Sequence, residues 1–110
     1  MNNLFTQKKI KDFLEANPYN TKVEVGSVED LNGQDYIILN YSRDTIIGFN
    51  NKGIYTTLTT FTVCTKDFDK RKSLVEYIKS RFNVEVEYEP ANDYQYYVAT
   101  CTTYITLCPN

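Results

Sequence analysis

The chain has 110 residues, with 12 lysines and arginines against 14 aspartates and glutamates for a formal charge of -2, and it contains no histidine. That length sets a single domain whose core stands without metal or disulfide staples, and that charge gives no long-range pull toward nucleic acid or anionic lipid. The missing histidine excludes Ser-His-Asp and Cys-His nucleophiles and removes the commonest metal ligand.

The amino terminus reads as a helix capped by Asn2 or Asn3, with Ile10, Phe13 and Leu14 on one face and Leu4 and Phe5 on its flanks. Lys8, Lys9 and Lys11 lie elsewhere beside Asp12 and Glu15, which makes them a solvated face rather than a basic patch. Asn17-Pro18 stops the helix, because the residue before a proline avoids the α region. Thr21 to Val28 alternates Val23 and Val25 with Lys22 and Glu24, the pattern of a strand covered on one face, and a turn follows at Leu31-Asn32-Gly33. Tyr36 to Ser42 is denser in apolar residues. Ile37, Leu39 and Tyr41 fall on one side and Tyr36 and Ile38 on the other, so this strand is expected to be central.

Ser42-Arg43-Asp44 bends the chain into a short strand from Thr45 to Phe49, and the turn-rich run Gly48 to Gly53 leads into a long strand from Ile54 to Thr65. At about 3.3 Å per residue that strand extends close to 40 Å, whereas a compact domain of this size is about 25 to 30 Å across. Either it is bulged or its beginning projects as part of a hairpin. Asp67 and Asp69 then mark a helix start, Leu74, Val75, Ile78 and Phe82 recur at helical spacing, and Lys79 and Arg81 complement the dipole near its end. Val84 to Tyr88 and Tyr94 to Leu107 are the last two strands, separated by a turn at Glu89-Pro90-Ala91-Asn92-Asp93. The expectation is one α+β domain over residues 1–110: a mainly antiparallel sheet with two helices, in the order α-β-β-β-β-α-β-β, with a projecting hairpin.

No constellation of catalytic chemistry stands out, so no enzyme, cofactor or metal site is expected. Cys64, Cys101 and Cys108 follow no metal-ligand spacing and read as small, semi-apolar residues of a reduced protein. Glu85, Glu87 and Glu89 alternate along one strand, opposite Val84, Val86 and Tyr88, as the wet side of an edge strand does. The four glycines are isolated, so no phosphate loop exists. No apolar run approaches the roughly 18 to 20 residues that span a bilayer. Met1-Asn2-Asn3 lacks the layout of a signal peptide, and the expected setting is a cytosol.

The strands themselves carry the functional signal. Residues 54 to 64 and the run from Tyr94 to Pro109 hold no charge, and strands this long without gatekeepers are expected to be internal to the sheet or covered by another subunit. The chain has ten tyrosines, and Tyr55, Tyr94, Tyr96, Tyr97 and Tyr104 sit on these strands, where a phenol suits a subunit contact.

The run Asp44-Thr45-Ile46-Ile47-Gly48-Phe49-Asn50-Asn51-Lys52-Gly53-Ile54-Tyr55, the strand ending Phe61-Thr62-Val63-Cys64-Thr65-Lys66 and the helix to Phe82 resemble the small tail-terminator, or tail-completion, proteins of phages of Gram-positive bacteria. By layout the resemblance covers nearly the whole chain. It implies a non-enzymatic virion protein, assembled in the host cytoplasm into a ring of six copies that caps the tail tube and joins it to a head-completion or neck protein. DNA only passes through the lumen, and no membrane is involved. On this reading Arg43, Asp44, Phe49, Asn50, Asn51, Lys52 and Tyr55, at the base and tip of the hairpin, contact neighbouring ring or tube subunits. The alternatives are another neck or tail part, such as a head-closure or tube protein, and a non-viral α+β binding module.

Overall fold

The structure, a computed structural model, describes residues 4 to 42, 47 to 49, 53 to 90 and 96 to 109. Two helices lie on one side of a curled mixed sheet. In chain order the elements are β1 (Leu4–Phe5), α1 (Gln7–Glu15), β2 (Lys22–Val25), β3 (Tyr36–Tyr41), β4 (Ile47–Phe49), β5 (Tyr55–Thr65), α2 (Phe68–Lys79), β6 (Glu85–Tyr88) and β7 (Tyr97–Leu107). The expected order holds, with one addition at the start.

That addition is β1, which corrects the expected helix start. Leu4 and Phe5 pair in parallel with Thr106 and Leu107, so they are strand rather than helix flank. The cap is Thr6, whose Oγ1 accepts from the Lys9 N–H at 3.0 Å. The far end of α1 is fixed by Asn17, a buried side chain that donates to the Leu14 carbonyl at 2.8 Å and accepts from the Tyr19 N–H at 3.0 Å. The second helix is shorter than expected. It runs from its cap at Asp67 to Lys79, and Phe82 is buried beyond its end.

The sheet runs β1-β7-β5-β3-β2, with β4 also on β5 and β6 also on β7. It is mixed rather than mainly antiparallel, because β1 joins β7 and β2 joins β3 in parallel. A parallel pair cannot be closed by a tight hairpin. The Leu31-Asn32-Gly33 turn therefore lies within a longer return from Gly26 to Asp35 that carries the chain back to the start of β2.

Strand β5 is the spine. All eleven of its residues pair antiparallel with β7 without a break, while its other margin is taken by β3 over Thr59 to Cys64 and by β4 at Tyr55 and Thr56. The irregularity expected of so long a strand falls on β4. There Ile47 and Phe49 oppose adjacent residues of β5, and Gly48 between them takes φ +66°, a left-handed value that glycine tolerates. The unbroken β5–β7 ribbon lies in a molecule measuring 46 × 26 × 22 Å, longer than a compact domain of this size was expected to be.

The core forms on the odd-numbered side of β5. Phe61 and Val63, fully buried, meet Ile37 and Leu39 of β3, Ala99 and Cys101 of β7, Ile10 and Leu14 of α1, and Leu74, Val75 and Ile78 of α2. Phe82 closes this layer, with its ring centroid 5.1 Å from those of both Phe5 and Phe61. Burying each of these aliphatic and aromatic side chains contributes about 1.5–3 kcal/mol before conformational entropy is set against it.

Candidate functional site

Among the described residues no helix lies on the even-numbered side of the long strands. Pleating sends Thr56, Leu58, Thr60 and Thr62 of β5 to this side, beside Thr106, Tyr104, Thr102 and Thr100 of β7. Ile38 and Asn40 of β3 extend the surface opposite Thr62 and Thr60. Every position that β3, β5 and β7 send to this face is uncharged. The threonines stand in cross-strand pairs, and Thr56 and Thr106 share a hydroxyl hydrogen bond at 2.8 Å. Tyr104 is 54 % exposed, and the Thr56, Thr60 and Thr102 side chains are only half-buried.

Charge returns at the two margins. On β6, Glu85 and Glu87 stand opposite Thr102 and Thr100, and on β2, Lys22 and Glu24 stand opposite Tyr36 and Ile38. Both are short outer strands, so the gatekeepers missing from the long strands sit on the edges. The long neutral strand β5 is protected internally, being paired along both margins. The glutamate row occupies the wet side of an edge strand, while Val84 and Val86 pack against the core.

Of the residues expected at subunit contacts, Arg43, Asp44, Asn50, Asn51 and Lys52 lie outside the described residues. Phe49 ends β4 in register with Tyr55, which opens β5. Tyr55 packs half-buried at the margin of the core, where its hydroxyl accepts from Gln7 Nε2 at 3.4 Å. Among the other strand tyrosines, Tyr96 is buried with its hydroxyl donating to the Gln34 carbonyl, Tyr97 is half-buried, and Tyr94 lies outside the described residues.

A second cluster had no counterpart in the sequence reading. Arg71, on the buried face of α2 and only 9 % exposed, places its guanidinium 4.9–5.6 Å from the ring centroids of Tyr88, Phe68 and Tyr97. One terminal nitrogen donates to the carbonyls of Glu89 and Val98, at 3.1 and 3.3 Å. The arginine thereby ties α2 to the ends of β6 and β7. The signal that marks it in sequence is a cation three residues before Leu74, on the stripe that faces the sheet.

The cysteines are free thiols. Burial pushes the Cys101 thiol up to about 11 and raises that of Cys64 as well, so both stay protonated and unreactive near neutral pH. Among the described residues no group of three or more Cys, Asp or Glu side chains comes together to hold a metal ion. A cleft of about 530 Å³ opens between the loop from Glu29 to Gly33 and the side chains of Lys66 and Tyr96. The Lys66 ammonium sits 5.6 Å from the centre of the Tyr96 ring.

No protein-family model matches this chain, and no curated protein matches it in sequence.

Proposed function

We propose that this chain is a non-enzymatic structural protein of a tailed-phage virion, the ring-forming terminator that caps the tail tube and joins it to the head or neck. One observation carries the reading. Within the stretch that resembles tail terminators, the described residues form β4, bulged against β5, the eleven-residue strand β5 and the helix α2, and they present an uncharged sheet face rather than a cluster of chemical groups.

In this reading six copies close around a lumen. The β4–β5 hairpin projects from each copy, and Arg43, Asp44, Phe49, Asn50, Asn51, Lys52 and Tyr55 meet neighbouring ring or tube subunits. A mildly acidic chain without histidine suits a conduit through which DNA slides, because lysine-rich walls would retain it.

The test is electron microscopy of particles produced when the gene for this chain is deleted from the phage genome that carries it. Overlong or headless tails are expected. Absence of tails would identify a tube protein instead, and normal tails joined to heads would remove the reading.

A further inference from the structure

We infer that copies of this chain meet front to back, the uncharged sheet face of one against the helical layer of the next. The inference rests on the ring reading and names the two surfaces that close it.

The area is the first argument. Strands of eleven residues at about 3.3 Å each, in a sheet some five strands wide at about 4.8 Å spacing, outline a face of roughly 600 Å² once the shorter outer strands are allowed for. A standard specific interface takes about 800 Å² from each partner, so this face supplies most of one. Its layout also matches an interface, with a neutral centre of Leu58, Thr60, Thr102 and Tyr104 and a charged rim.

Charge selects the occupant. On this face the rim carries the carboxylates of Glu24, Glu85, Glu87 and Glu89 against the ammonium groups of Lys22 and, just past the end of β5, Lys66. Two such faces packed on each other would bring acidic rims together, which disfavours a symmetric face-to-face pair. The helical layer has the opposite character. Lys8 is paired with Asp12 and Lys79 with Glu76, whereas Lys9, Lys11, Lys72 and Arg81 are exposed with no ion-pair partner among the described residues, against the unpaired carboxylates of Glu15, Asp67 and Asp69. Acidic rim and basic layer are complementary, and both belong to every copy. A contact that uses two different surfaces of one chain is heterologous, the kind that closes into a ring when its rotation permits.

The test uses the full-length protein in analytical sedimentation. One variant, Thr60→Lys, puts a cation at the centre of the face, and a second, Lys9→Glu with Lys11→Glu, reverses the helical layer. Circular dichroism checks that each is folded, and Thr102→Lys replaces the first if Thr60→Lys is not. Each variant alone should self-associate at least tenfold more weakly than the wild type. Mixed in equal amounts, they should form discrete dimers and nothing larger, because one intact sheet face meets one intact helical layer. Variants that assemble like the wild type, or a mixture that stays monomeric, would overturn the inference and leave the ring reading standing. A wild-type chain that remains monomeric at millimolar concentration would also overturn it, while the terminator reading is decided separately by tail length.

Discussion

Tyr41 closes β3 with its ring against the core and its hydroxyl enclosed, without a hydrogen-bond partner among the described residues. An enclosed hydroxyl left unpaired costs roughly 1–3 kcal/mol, whereas the ring beneath it contributes packing. Tyr41→Phe should therefore keep or raise stability, by up to about 1 kcal/mol, in urea unfolding at pH 7. Burial, with the neighbouring Tyr55 adding to it, lifts the Tyr41 phenol well above its ordinary value of 10.0. The folded chain thus holds a proton that the unfolded chain releases, so this contribution is intact below pH 10 and lost as the pH climbs beyond it. The alkaline fall in stability should be shallower in Tyr41→Phe, and an identical fall would show that the phenol titrates as it does in the unfolded chain. Arg71 shows the limit of reading single residues. A helix pattern assigns an arginine to solvent by default, and only the arrival of β6 and β7 supplies the rings of Tyr88 and Tyr97 and the two carbonyls that make its burial tolerable.

At the scale of elements, the return from β2 to β3 is held by Asp35. Its carboxylate accepts from the Lys66 N–H at 3.1 Å and pairs with Lys70 at 2.7 Å, fastening this connection to the junction of β5 and α2. Partial burial pushes the Asp35 carboxyl up, but the hydrogen bonds from Lys70, Lys66 and Thr65 outweigh it and hold the group below 3.8. A lowered folded value means that the stabilisation is present above pH 3.8 and disappears as the pH falls through the folded value. Asp35→Asn keeps an acceptor for Lys66 and loses the ion pair, so it should cost about 1–2 kcal/mol at pH 7. Its thermal midpoint should approach that of the wild type in strong acid, and equal midpoints at pH 7 would show that the pair contributes nothing. The two helices and the long strands were legible from hydrophobic period, because burial on one face imposes it directly. Strand direction was not, since a period of two is the same for parallel and antiparallel pairing and Leu31-Asn32-Gly33 reads as a hairpin turn in isolation. The start of α1 was misplaced for a related reason. Asn2, Asn3 and Thr6 are all good caps, and the pairing of Leu4 and Phe5 with β7 decides among them.

For the whole molecule, long strands without charge need protection by neighbours, and the sheet itself supplies it for both margins of β5. The margins of a strand and the face of a sheet are separate problems, however. Pairing covers both margins of β5 and, among the described residues, leaves the threonine and tyrosine side chains of the even-numbered face with no helix over them. That separation explains why the candidate surface was only half visible in sequence: the absence of charge could be counted, but which face lacked a helix depends on where α1 and α2 pack. It also fixes how self-association should respond to salt. If a neutral centre and a charge-matched rim act together, exposed rim pairs are screened once the Debye length shrinks from about 10 Å at 0.1 M salt toward 3 Å at 1 M, while burial of Tyr104 and Leu58 persists. Raising salt from 0.1 to 1 M should therefore weaken sedimentation-measured association several-fold without abolishing it. Association that strengthens with salt would mean that like-charged rims face each other, a symmetric pairing of sheet faces in place of the front-to-back contact.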